Sequence, residues 1–330
     1  MVAAPLDPII ELGKTQGFPL AMVAKHNQIS QSIFATSFLM KLIARLTTLC
    51  KTMAQVGLAV GALVLYGLYT YQSSLIYPAS LNDGHGHCAT PDEYDMDFET
   101  VHLKTKDGET LHCYLLKHDR SRRDYSNKTV VMLSPNAGNI GHALPLVAMF
   151  YKNLNCNVFI YSYRGYGKST GKPSEVGLKL DADRVVDYLR NDSQYSSSHI
   201  VLYGRSLGGA VAIYIASRYG YYISGIILEN TFLSIRKTVP HIFPFLKLFA
   251  NFVHQKWDLE KLVPKIPASV PALLLSAQND EIVPPPHMDR IFSLLKSDNK
   301  LMYKFDSQHN DTVVQPGYWD HIEEFLERIG

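Results

Sequence analysis

The alternation of apolar and polar positions changes character once along this chain, at about residue 83. Beyond it, short apolar runs recur at 101–105, 110–116, 130–133, 157–163, 200–203, 225–228, 272–276 and 301–305. Most are near-continuous in Val, Ile, Leu, Phe and Tyr, the pattern of strands covered on both faces of a parallel sheet. The first two flank Lys106-Asp107-Gly108-Glu109, whose Asp-Gly step predicts a hairpin. Helical stretches at about 142–153, 174–190, 207–219, 286–297 and 318–328 separate the others. Strands and helices alternating in this way predict an α/β sheet with helices on both faces. The interval from about 231 to 267 breaks the alternation, is rich in Phe and Leu, and reads as a small helical cap inserted after the sixth strand.

Before residue 83 the pattern has no such alternation. Met53–Tyr71 is a run of 19 mostly apolar residues, about 28 Å long as a helix and close to the ~30 Å hydrocarbon core of a bilayer. It has no polar stripe, unlike a typical core helix. A cleaved signal peptide fits less well, because the run is long and no convincing small-residue cleavage site follows. The organisation expected is a basic N-terminal segment over 1–52, a transmembrane signal anchor over 53–71, and a folded domain over 83–330. Gly57 and Gly61 form a G-x-x-x-G step that could pair two anchors into a homodimer.

Charge refines this picture. Between Glu11 and Asp83 there is no acidic residue, while Lys14, Lys25, Lys41, Arg45 and Lys51 are basic. Basic residues on the N-terminal side of the span place the N-terminus in the cytosol and the folded domain across the membrane. That points to the endoplasmic reticulum or another endomembrane with a lumenal C-terminal domain. An acid-free basic leader ahead of a span also fits the mitochondrial inner membrane. The whole chain has 330 residues, 46% hydrophobic and 19% charged, with a net charge of +2. A packed core follows, and a nucleic-acid partner is not indicated. Cys50, Cys88, Cys113 and Cys156 lie too far apart for a zinc ribbon or a disulfide framework, although one bridge is open to them.

The local chemistry centres on Gly204-Arg205-Ser206-Leu207-Gly208, between a strand and a helix. That is the setting in which G-x-S-x-G forms a nucleophile elbow, with the serine exposed on a strained turn. A serine hydroxyl needs a base to take its proton. His309, just after the last strand, fits that position, whereas His321 falls on the terminal helix. The acid that orients the imidazole is Asp280, after the penultimate strand. Glu281 beside it and Glu229 at the end of the preceding strand are the alternatives. An oxyanion hole would draw on the backbone N–H of Leu207 and on that of Asn136 or Ala137, in the loop Ser134-Pro135-Asn136-Ala137-Gly138-Asn139. Pro135 has no N–H to give. Tyr163–Ser169 reads as a structural Gly-rich turn and lacks the spacing of a phosphate loop.

Five ordered motifs, NAGNIGHALP, YSYRGYGKSTGKPSEVGL, GRSLGGAVA, QNDEIVPP and HNDT, resemble the family of alpha/beta hydrolase domain-containing protein 13 and its fungal bud-emergence (BEM) class relatives. The resemblance covers about residues 98–328 and also accommodates a single N-terminal span. It implies an α/β-hydrolase fold with Ser206, Asp280 and His309 at the charge-relay positions. One departure stands out: where that family reads F-H-G-N-A-G-N, this chain has Ser134 and Pro135 in place of His and Gly. The function expected is hydrolysis of an ester, thioester or amide through an acyl-serine intermediate, on a small acyl or lipid-like substrate, with no metal or organic cofactor. A serine peptidase and a catalytically weak scaffold or binding protein at a membrane remain the alternatives.

Overall fold

A computed structural model describes residues 20–123, 125–192 and 195–329. Residues 1–19 of the expected basic N-terminal segment therefore lie outside the described residues. Contacts divide the chain into two units, 1–68 and 69–330.

The described residues of the first unit lie in one helix, Leu20–Ile76, which continues past the boundary at 68. Its 57 residues rise about 85 Å. No proline interrupts it, and it stops two residues before Pro78, whose ring disfavours helix in the residue ahead. Its polar side chains bond back to the helix itself: Thr47, Thr48 and Thr52 donate to carbonyls one turn earlier at 2.8–3.0 Å. Residues 24–76 are long and apolar enough to cross a membrane. Apolar side chains from Phe34 to Leu65 stand exposed, unlike those of a helix buried in a core. The helix thus extends well beyond the 53–71 run on its N-terminal side, through residues that carry neither glycine nor proline.

The second unit is built on a mostly parallel eight-stranded sheet. Its strands are β1 (Glu99–Lys104), β2 (Thr110–Leu116), β3 (Lys128–Leu133), β4 (Asn157–Tyr161), β5 (His199–Arg205), β6 (Gly225–Glu229), β7 (Ala272–Ala277) and β8 (Lys300–Phe305). Their order is β1-β2-β4-β3-β5-β6-β7-β8. The β1–β2 hairpin and the β2–β4 pair are antiparallel, and the pairs from β4 through β8 are parallel. Within a strand, successive side chains enter opposite cores. Val131 and Leu133 join one cluster with the helices Glu175–Asn191 and Leu207–Tyr219. Val130 and Met132 join the other, with 144–153 and the helix Tyr318–Glu327. The stretch expected as one helix over 142–153 is a 3-10 turn, a short α-helix and a π-helical turn in succession.

The connections reverse direction at β3, which has β4 on one side and β5 on the other. In such sheets the crevice beyond the carboxyl ends of the strands at this reversal is where ligands bind. Here the loop after β3 and the turn after β5 meet at that crevice.

Residues 69–82 belong with this unit, ahead of the boundary expected at 83. The cause is packing: Tyr77 is buried, accepts from Trp257 Nε1 at 2.8 Å and donates to Gln255 at 3.2 Å. Burial of the phenol raises its pKa well beyond the usual tyrosine range. Between β6 and β7 the chain forms the helix Ile235–Ile242, a 3-10 segment Pro244–Phe252 and two short turns of helix over 259–265. All four cysteines are free thiols, Cys50 exposed and the others buried.

Candidate active site

Ser206 is the residue on which β5 turns into the helix Leu207–Tyr219, and its backbone has φ 54° and ψ −113°. A non-glycine residue in that conformation carries strain that the surroundings must hold. Two close approaches do so. A Cβ on Gly204 would collide with the backbone of Gly208, and a Cβ on Gly208 would collide with the carbonyl of Leu133. The Ser206 N–H donates to the Glu229 carbonyl at 2.9 Å, tying the elbow to the end of β6. Glycine at 204 and 208 is what lets the first turn of the helix sit against the end of β3.

Asp280 and His309 come together from the loops after β7 and β8. His309 Nδ1 lies 2.7 Å from Asp280 Oδ2, and both side chains are buried. The other carboxylate oxygen accepts the N–H groups of Ile282 at 2.9 Å and Val283 at 2.6 Å. With Oδ1 fixed by two backbone donors, Oδ2 has one remaining direction, toward the imidazole. A ring whose Nδ1 is so held presents Nε2 on its far side. Ser206 Oγ donates to no described residue, and no hydrogen bond joins it to His309.

Glu229 and Glu281 take other parts. Glu229 is fully buried and accepts from the hydroxyls of Tyr203 and Tyr318, the latter at 2.7 Å. These tyrosines belong to the cluster on the opposite face of the sheet from the helix that Ser206 caps. Burial and the adjoining carboxylate hold both phenols well above their ordinary pKa, and so protonated as donors. Glu281 accepts the backbone N–H of His309 at 3.1 Å, supporting the loop rather than the ring.

The loop after β3 is held from two sides. Tyr163 donates to the Ser134 carbonyl at 3.0 Å and Tyr166 to the Asn136 carbonyl at 3.0 Å. The turn at 163–169 therefore clamps the loop. Asn136 Nδ2 reaches the Ile76 carbonyl at 3.3 Å. The backbone N–H groups of Leu207, Asn136 and Ala137 donate to no described residue. The Ser134 hydroxyl is buried without a partner among the described residues.

Sequence reasoning did not find Asn230. It is buried and left-handed, with φ 45°. Its Oδ1 accepts the Ala277 N–H at 2.8 Å, and its Nδ2 donates to the His309 carbonyl at 3.0 Å and to Thr312 Oγ1 at 2.9 Å. One side chain thus ties the ends of β6 and β7 to the histidine loop. Position offered a signal: Asn230 directly follows β6 at the carboxyl edge of the sheet, where polar residues are otherwise spent on the site.

Comparison with known proteins agrees with this architecture. Residues 126–267 match the family described as serine aminopeptidase, S33. An uncharacterised membrane protein of Saccharomyces cerevisiae, YNL320W, is 47% identical over 80% of this chain and 91% of its own length. Protein bem46 of Schizosaccharomyces pombe is 43% identical over 82% and 90%. The alpha/beta hydrolase domain-containing protein WAV2 of Arabidopsis thaliana is 34% identical over 82% and 92%. Among solved structures, an α/β-hydrolase from Vibrio vulnificus aligns with a TM-score of 0.64 at 20% identity, covering 77% of this chain and 92% of that one. The Pyrococcus furiosus esterase Pf2001 aligns at 0.61 and 22%, over 74% and 95%, a likeness of fold. On sheet order, elbow and relatives together, the chain belongs to the α/β-hydrolase family, in the group that includes bem46 and WAV2.

Proposed function

We propose that this protein is a serine hydrolase acting through a Ser206–His309–Asp280 relay. The observation that carries this reading is the buried 2.7 Å contact between His309 Nδ1 and Asp280 Oδ2, set on the same sheet edge as the strained Ser206 elbow. In the reaction, the Ser206 hydroxyl attacks the acyl carbon as its proton passes to His309 Nε2. Asp280 keeps the proton on Nδ1 and stabilises the imidazolium that forms. The carbonyl oxygen becomes an alkoxide facing the N–H of Leu207 and of Asn136 or Ala137. The imidazolium then protonates the leaving group. Water, deprotonated by the same imidazole, frees the acid and restores Ser206.

An acyl ester or thioester with an apolar chain suits the site best. An apolar, aromatic segment over 231–267 on a domain that carries an exposed apolar helix supports a lipid-like substrate. A peptide substrate has only the description of the matching family behind it, and that match covers less than half of this chain. The exposed apolar helix supports a single membrane crossing, and the basic residues ahead of residue 53 are the ground for reading a cytosolic N-terminus and a lumenal hydrolase domain. Hydrolysis of p-nitrophenyl esters of graded chain length tests the reading. Turnover that rises with chain length and vanishes in Ser206→Ala is the expected result. Turnover that survives in Ser206→Ala contradicts it.

A further inference from the structure

The cap carries an apolar face that no described residue covers. Phe245 is 74% exposed, Leu248 85% and Phe252 65%, with Ile242 and Phe243 beside them. Large apolar side chains of soluble domains are not usually grouped this way, and contiguous patches of them mark interaction surfaces. The run 241–253, HIFPFLKLFANFV, contains Lys247 and no acidic residue. It is also held in place. Arg236 donates to the carbonyls of Val253 and Asn251, both at 3.1 Å.

The position of this face names its occupant. Gln72 donates to the Phe252 carbonyl at 3.4 Å and accepts the His254 N–H at 2.8 Å. Tyr69 meets the His254 ring edge-on, with centroids 5.1 Å apart. Tyr69 and Gln72 are on the last two turns of the long apolar helix, where Tyr71 and Leu75 are also exposed. The apolar face is therefore fastened to the point at which the candidate span ends. Tyrosine at such an end, and a basic apolar segment beside it, are the composition of a membrane interface.

We propose that Ile242–Phe252 is a membrane-docking surface, seated in the headgroup and acyl boundary of the bilayer that the chain's own helix enters. This rests on the reading of that helix as a span. The same helix end accepts a hydrogen bond from Asn136, in the loop proposed to hold the oxyanion, so the docked face and the crevice share one edge of the domain. A substrate drawn from the bilayer would then reach Ser206 without crossing water.

The test uses the full-length protein in vesicles of phosphatidylcholine with one-third phosphatidylserine, with and without bromination of the upper acyl chain. Leu248→Trp is compared with Tyr221→Trp, since Tyr221 is 97% exposed on a different part of the domain. The tryptophan added at 248 is expected to emit to the blue and to be quenched several-fold more by brominated lipid than the one at 221. Equal quenching overturns the proposal. A blue shift that grows with protein density but is not quenched also overturns it, assigning the face to a second copy. In parallel, Phe245→Ser combined with Leu248→Ser should lower hydrolysis of a vesicle-embedded acyl ester about fivefold or more. Fluorophosphonate labelling of the same variant in detergent should be unchanged. Loss of labelling in the wild type would remove the serine-hydrolase reading and leave the quenching result to stand or fall by itself.

Discussion

Asn230 donates its side-chain amide to the backbone carbonyl of His309 at 3.0 Å, while its own oxygen accepts from Ala277. The histidine loop is thus set by an amide at the end of β6 as well as by Asp280. Asn230 touches no substrate in this account; it is a positioning residue.

Asn230→Ala is expected to lower kcat by about 10²-fold, the scale of a misplacement near 1 Å, with KM little changed. It leaves buried donors and acceptors unpaired and should cost about 1–3 kcal/mol of stability. Steady-state kinetics alongside urea unfolding separates the two effects. A drop in stability with kcat intact would reduce Asn230 to a structural part.

The two carboxylate candidates should behave differently. Asp280→Asn removes the acceptor that fixes the His309 tautomer and should cost about 10⁴-fold in kcat. Both tyrosine hydroxyls donate to one oxygen, Oε2, so Glu229→Gln keeps an acceptor for them, though an uncharged one, and should leave kcat within a fewfold while lowering the melting temperature. The reverse ranking would assign the acid to Glu229.

Folding stability should depend on pH through two buried histidines. Burial is the main cause that pushes His287 and His112 down to about 4. For His287, Lys237 and His241 add to the fall and Asp280 opposes it; for His112, Lys168 and His102 add to it. The folded chain resists protons that the unfolded chain takes up near 6.5. Their contribution is therefore complete above about pH 6.5 and is lost as pH falls toward 4. The slope across that window approaches about 1.4 kcal/mol per pH unit for each histidine. Denaturant unfolding from pH 7 to 4 should show it, and His287→Gln should flatten it. An unchanged slope in that variant would assign the effect elsewhere.

The hydroxyl of Ser134 is buried without a partner among the described residues. Ser134→Ala should therefore be neutral or slightly stabilising, with no loss of turnover. A tenfold fall in kcat would show that this hydroxyl takes part in the oxyanion loop.

Much of this was legible before the structure because the chemistry is local in sequence. The elbow is five consecutive residues between a strand and a helix, and His309 and Asp280 each follow a recognisable strand. What stayed hidden depends on side-chain direction at strand ends. The period of two places Glu229 with Ile227 rather than Leu228, and hence in the cluster of Tyr203 and Tyr318. That parity argues against Glu229 as the acid, but only once the neighbouring face is known. Asn230 and the Tyr163–Ser134 clamp join residues 79 and 29 positions apart, and apolar patterning carries no information about such pairs. The full extent of the helix stayed hidden for a different reason. Residues 20–52 are too polar to mark a span, yet they contain nothing that breaks a helix.

Fluorophosphonate labelling of the full-length protein, beside Ser206→Ala and His309→Ala, tests the central claim most directly. Labelling of the wild type at Ser206, located by mass spectrometry of the modified peptide, and its loss in both variants are the expected result. A folded wild-type protein that does not label would contradict an activated serine and make the chain an α/β-hydrolase fold without the relay proposed for it.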